Sequence, residues 1–312
     1  MNIYYLCPDL LQPSGGVRRL YTHVEILRQE GYPAFILHFK KGFQISWFST
    51  EVPVLYLNDN IQWNPSDVLV FPEGLSTIIK KFKSTPFRKI IIALSHSYIF
   101  PQLPNGENWK DYGIETVITP SQLIKDFISW SMDIKNILLI GTSIDHSLFN
   151  YNNENKISQI AYIPRKDNTA EIIEKITESR KSVDINFVKI ENKSIEEYAT
   201  VLKNSSIFLT TSAHEGINRS VIEAMACGCI CIGYDGIGAK EYIRADGDKQ
   251  NFIHVENMNY IELARKIEET YSRIENNNPK IALIRNNAID TAAKFDTEIE
   301  RESLLKFWKS FL

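Results

Sequence analysis

The chain alternates short apolar runs with segments of helical period over most of its length. That alternation restricts it to parallel α/β structure, in which each strand is followed by an amphipathic helix that covers the sheet. Residues 3–7 read as a first strand, followed by the turn Pro13-Ser-Gly-Gly16. Val17, Leu20, Tyr21, Val24 and Leu27 then recur at helical spacing, and Gly31 stops the helix. Residues 34–39, 68–71, 90–94 and 116–119 read as further strands buried on both faces. Pro120-Ser121 opens a helix with Leu123, Ile124, Phe127 and Ile128 on its apolar face. The Asn-rich stretch 150–156 reads as an interdomain linker. A second series follows, with strands at 160–163, 185–188, 207–210, 229–233 and 252–255. Its helices are expected at 171–180, 195–203, 218–227 and 260–274, before an amphipathic helical tail from Lys280.

A length of 312 residues suits about two such domains. A net charge of −3 argues against a protein that lives on nucleic-acid phosphates. Residues 1–8 lack the basic and apolar regions of a signal peptide, and no run of about 18 apolar residues occurs, so a cytoplasmic protein is expected. Of four cysteines, Cys227, Cys229 and Cys231 fall at every second position. On a strand they would share one face about 6–7 Å apart, which suits buried thiols rather than bridges or a metal site.

Doubly wound domains bind ligands at the carboxyl ends of their strands, and two of them in one chain suggest a ligand held between them. The most informative segment is Ser212-Ala-His-Glu-Gly-Ile-Asn-Arg-Ser-Val-Ile-Glu-Ala-Met-Ala-Cys-Gly228. It follows an apolar strand, with Glu215 and Gly216 in the turn and a helix starting near Asn218, an expected N-cap. Unpaired N–H groups at a helix start suit a diphosphate. Carboxylates suit hydroxyl-rich ligands because they only accept, so Glu215 would meet a sugar and Glu223 a ribose diol. The same residues would also make an ordinary helix start, with a Ser220–Glu223 capping box and an exposed glutamate.

This segment resembles the signature of the retaining family-four glycosyltransferases, of GT-B fold. Their pattern is Glu, seven residues, Glu, then Ala-Met-Ala-(Cys/Ser)-Gly, and here Glu215 and Glu223 precede Ala224-Met-Ala-Cys-Gly228. The resemblance extends to Thr119-Pro-Ser-Gln122, to residues 141–149 (without the usual Asn-Gly) and to Asp235-Gly-Ile-Gly-Ala-Lys-Glu-Tyr-Ile-Arg-Ala-Asp-Gly247. It implies two Rossmann-like domains, 1–150 on the acceptor side and 151–295 on the donor side. A last helix at about 296–312 would cross back to the first domain.

The resemblance also implies a site. Gly15 and Gly16 would lie near the donor diphosphate and the acceptor, where a missing Cβ permits close approach. His96 would face the donor sugar, while Glu215, Gly216, Ile217, Asn218 and Glu223 would hold the donor. Arg165 and Lys166 are the candidate phosphate cations, adjacent here where the family spaces its Arg and Lys about five residues apart; Arg165 is the preferred one. Catalysis would rest on His96, Arg165 and Glu215. Asp246-Gly-Asp248 reads as a turn rather than a metal motif, and no metal or other cofactor is expected. The expected donor is a nucleotide diphosphate sugar, a UDP-sugar first, and the acceptor a glycan or lipid-linked glycan. The amphipathic tail, with Leu304, Leu305, Trp308 and Leu312 on one side, is compatible with peripheral membrane contact. A nicotinamide dehydrogenase is disfavoured, since Pro13-Ser-Gly-Gly-Val-Arg-Arg19 supplies no Gly-x-Gly-x-x-Gly. A degenerate, partner-type GT-B protein and a nucleotide-sugar epimerase are the alternatives.

Overall fold

The computed structural model describes residues 1–152, 156–164 and 168–312. The chain forms two compact units, Met1–Gly141 with Glu298–Leu312, and Thr142–Thr297. The Asn-rich stretch therefore falls inside the second unit, and the first unit ends at Gly141.

The first unit is built on a parallel seven-stranded sheet. Its strands are β1 (Ile3–Leu6), β2 (Ala34–His38), β3 (Val54–Tyr56), β4 (Val68–Pro72), β5 (Arg88–Ile92), β6 (Thr116–Thr119) and β7 (Asn136–Leu139), in the order β3-β2-β1-β4-β5-β6-β7. Alternate residues face opposite cores. Ile3, Tyr5, Val68, Val70, Ile90 and Ile92 pack on one side, and Tyr4, Leu6, Leu69, Phe71 and Ile91 on the other. This two-sided burial explains the continuous apolar runs. The helix α1 (Gly15–Gln29) covers the first face, and the Ser14 hydroxyl caps it by accepting from the Val17 amide at 3.4 Å. The other face is covered by α2 (Ser76–Lys81) and α3 (Gln122–Met132).

The second unit has a parallel five-stranded sheet of β8 (Ile157–Tyr162), β9 (Asn186–Lys189), β10 (Ser205–Thr210), β11 (Ile230–Gly233) and β12 (Ile253–His254), in the order β12-β11-β10-β8-β9. Its helices are α4 (Thr169–Arg180), α5 (Ile195–Asn204), α6 (Arg219–Ala226), α7 (Tyr260–Glu275) and α8 (Pro279–Ala292). Helix α5 starts on a Ser194–Glu197 capping box, and α8 has Pro at its first position behind the Asn278 cap. Cys227 is the C-cap of α6 rather than a strand residue, so the three cysteines do not share one strand face. All three are buried.

The final helix, α9 (Thr297–Phe311), lies on the first unit with Leu304, Phe307 and Trp308 buried beside Tyr5 and Val24. Leu312 is exposed, and Phe307 supplies the apolar contact in its place. No helix among the described residues is long and apolar enough to cross a membrane.

Candidate functional site

In the second unit the chain winds from β8 through α4 to β9, then returns to lay β10 on the other side of β8. The sheet's switch point thus lies between β8 and β10, whose ends meet at Tyr162 opposite Leu209. A doubly wound sheet opens a crevice at that place, outside the carboxyl ends of its strands.

The β10–α6 connection carries Glu215, Gly216, Ile217 and Asn218 out of that edge. Glu215 is partly exposed, and its carboxylate accepts from the Ser212 hydroxyl at 2.6 Å. Its own amide donates to the Gly236 carbonyl at 3.0 Å, pairing the loop with the one that follows β11. Gly238 lies so close to this segment that a Cβ there would overlap the Gly216 carbonyl and come within 2.5 Å of the Glu215 carbonyl oxygen. Gly216 is buried, and Ile217 packs against the unit's core.

Asn218 precedes α6 in the left-handed region, with φ of 48°, and its side chain does not cap the helix. Its amide group turns back and donates to the Thr210 hydroxyl at 3.2 Å. The expected side-chain N-cap is therefore absent, and because α6 begins at Arg219, Ser220 is not a cap either. Among the residues of this helix start, Asn218 acts as a tie between strand end and helix, with its carbonyl accepting from Tyr242 at 2.9 Å.

Glu223 is buried in the second turn of α6. Tyr198 of α5 donates to its Oε2 at 2.8 Å, and Arg219 Nε lies 3.3 Å from its Oε1. These two contacts use part of a carboxylate's roughly four acceptor directions and fix its orientation. Sequence reasoning missed Tyr198, which precedes Glu223 by 25 residues and carries no local signal. It also missed Asp235. That carboxylate accepts from the Ile237 amide at 2.8 Å and lies 3.2 Å from His254 Nε2 and 3.6 Å from Lys240 Nζ. It braces the turn whose Gly236 carbonyl receives Glu215.

Arg165 and Lys166 lie outside the described residues. Asp246-Gly-Asp248 forms an exposed turn in which Gly247 has φ of 71°. The described residues contain no group of three or more His, Cys, Asp or Glu that could hold a metal ion.

The first unit has its own switch point, between β1 and β4. At that edge Gly15 and Gly16 begin α1, with nothing within 4 Å of a Cβ placed on Gly15. His96 stands one strand over, in a 3-10 turn, His96–Tyr98, that follows β5. Its ring lies 5.9 Å from that of Phe127. Glu73, immediately after β4, is 5% exposed, and its Oε1 accepts from the Ser95 amide at 2.8 Å. Burial pushes its carboxyl up to about 7, while the amides of Glu73, Leu94 and Ser95 pull the other way.

Comparison with known proteins adds the chemistry. Residues 150–288 match the family model described as glycosyl transferases group 1. An alpha-1,6-glucosyltransferase of Actinobacillus pleuropneumoniae serotype 7 (strain AP76) is 26% identical over 242 residues, which are 76% of this chain and 73% of that protein. A glycosyltransferase from Rickettsia africae ESF-5 superposes with a TM-score of 0.71 at 17% identity, covering 99% of this chain and 98% of its own. Anabaena HepE, crystallised with UDP-glucose, gives a TM-score of 0.69 at 16% identity, covering 99% of this chain and all of its own. The family match and the sequence relative support a glycosyltransferase. The structural neighbours give the fold, the GT-B arrangement of two parallel-sheet Rossmann-like domains.

Proposed function

We propose that this glycosyltransferase moves a hexose-type sugar from a nucleotide diphosphate sugar, a UDP-sugar first, to a glycan or lipid-linked acceptor, with retention at the anomeric carbon and without a metal. Envelope or exopolysaccharide assembly is the setting we infer. The observation that carries this reading is the pair Glu215 and Glu223, one on the loop and one on the helix that leave the carboxyl end of β10 at the sheet's switch point. Glu223, oriented by Tyr198 and Arg219, takes the ribose diol. Glu215, held by Ser212, takes hydroxyls of the transferred sugar. Amides at the start of α6, together with Arg165 and Lys166, take the charge that grows on the diphosphate. The first unit serves the acceptor, with Gly15, Gly16 and His96 at the carboxyl edge of its sheet.

In the proposed step the bond from the anomeric carbon to the diphosphate oxygen breaks and leaves oxocarbenium character on the sugar. The acceptor oxygen bonds to that carbon from the same face. Its proton passes to the departing phosphate oxygen, so no enzyme base is required.

Calorimetric titration of the protein with UDP, GDP, ADP and NAD, with no added metal, tests the reading. Micromolar binding of UDP is the expected result. Binding of NAD alone would overturn it. Glu223→Ala should weaken nucleotide binding by about 10- to 100-fold, the worth of a charge-assisted hydrogen bond. Unchanged affinity in the folded variant would remove Glu223 from the ribose.

A further inference from the structure

We propose that Glu73 is a positioning residue of the transfer reaction, which holds the turn that presents His96. The proposal rests on the reading of the first unit as the acceptor side, and it concerns a residue that neither the sequence motif nor the family match touches.

A parallel ladder joins β4 to β5 and ends with Pro72 opposite Ile92. The Glu73 amide donates to the Ile92 carbonyl at 3.2 Å, which is the last main-chain bond between these two strands. Beyond it β5 has ended, and the chain must turn within four residues to reach His96. The Glu73 side chain continues the ladder where the main chain stops, since its Oε1 receives the Ser95 amide at 2.8 Å. The Ser95 and Ser97 hydroxyls bond to each other at 2.9 Å across the same turn. The Tyr98 amide closes it on the Ser95 carbonyl at 3.4 Å.

The place is as telling as the bonds. Glu73 follows β4, one of the two strands that flank the switch point, and α1 begins with Gly15 and Gly16 after the other strand. Substrates of doubly wound sheets bind at this edge. A charged side chain is rarely fully buried unless it is paired, and here the partners are main-chain amides rather than a cation. Stability alone would be served as well by an apolar residue at the end of β4. A carboxylate tied to the amides beside His96 fixes backbone shape instead, and a shift of about 1 Å in a reacting group costs rate steeply.

The test uses full-length Glu73→Ala and Glu73→Gln, with UDP-glucose as donor and octyl glucoside as acceptor probe. Hydrogen exchange is followed by mass spectrometry on peptides covering residues 93–98. Glu73→Ala is expected to speed exchange there about tenfold or more while peptides of β1 and β2 keep wild-type protection, and to lower kcat about tenfold or more with KM for UDP-glucose within about twofold. Glu73→Gln keeps an amide oxygen for Ser95 and should recover much of both. Unaltered exchange at 93–98 in Glu73→Ala overturns the proposal, as does an unaltered kcat. Should Glu73→Ala fail to fold, Glu73→Asp, one methylene shorter, takes its place with the same expectations. If the wild-type protein releases no UDP from UDP-glucose, the donor reading fails, and the exchange measurement still decides whether Glu73 holds the turn.

Discussion

Gly238→Ala should destabilise the protein by about 3 kcal/mol and abolish measurable sugar transfer, although the residue carries no functional group. Its added Cβ would overlap the Gly216 carbonyl and approach the Glu215 carbonyl oxygen to 2.5 Å. These neighbours are backbone, so no side-chain rotation can relieve them. Nor is Gly238 in the left-handed region, so alanine itself would accept the local conformation and the effect is one of contact alone. The cheapest escape is to part the loop after β10 from the loop after β11. That movement breaks the bond from the Glu215 amide to the Gly236 carbonyl and displaces the Glu215 carboxylate with it. Urea unfolding gives the stability change, and turnover with UDP-glucose gives the loss of activity. A variant with wild-type midpoint and turnover would show that the two loops are not locked together.

Glu73 supplies the second large effect, through pH. Its carboxyl is held up to about 7 by burial, against an ordinary value of 4.5. The folded state therefore binds this proton more tightly than the unfolded chain does. The stability it contributes is full below pH 4.5 and is lost as pH rises through 7. Across that window the loss amounts to about 3 kcal/mol for this group. Glutamine cannot ionise, so Glu73→Gln should gain on the wild-type protein by about that much between pH 4.5 and pH 7.5. The titratable side chains on the adjoining turn are His96 and Tyr98. Beyond the neighbouring end of β1 lies Cys7, whose thiol burial pushes well up and so keeps uncharged. All three are present in both proteins. Chemical denaturation at four or five pH values measures the difference. A gap between the two proteins that stays constant with pH would show that Glu73 does not titrate as described. Under the positioning role proposed above, Glu73 would hold the turn before His96 at a cost in stability near neutral pH.

The interior strands of both sheets were legible because a strand buried on both faces is written as a continuous apolar run. Residues 68–71 and 116–119 read as strands, and the structure gives β4 as Val68–Pro72 and β6 as Thr116–Thr119. The edge strands β3 and β7 were missed because they lack that burial. All of Val54–Tyr56 is half-buried, and β7 mixes buried Ile137 with exposed Asn136 and Leu139. Helix starts depend on single hydrogen bonds rather than on pattern. Asn218 looks like a cap in the sequence, yet its backbone is left-handed, its side chain makes no cap bond, and its amide group donates to the Thr210 hydroxyl instead. Of the candidate site, Glu215 and Glu223 were legible from a contiguous motif. Tyr198, Asp235 and Glu73 were not, because the fold alone brings Tyr198 to Glu223, His254 to Asp235 and the Ser95 amide to Glu73.

The cysteines carry a practical consequence. All four are buried and free, and burial raises the thiol of each. The thiolate is the form that attacks an alkylating reagent, so the native protein should be nearly silent toward such reagents. A single cysteine introduced on an outer surface, for instance at the 87% exposed Trp130 of α3, would then be the one reactive thiol. The wild-type sequence can thus take a fluorophore or spin label at a chosen point without any of its own cysteines being removed first.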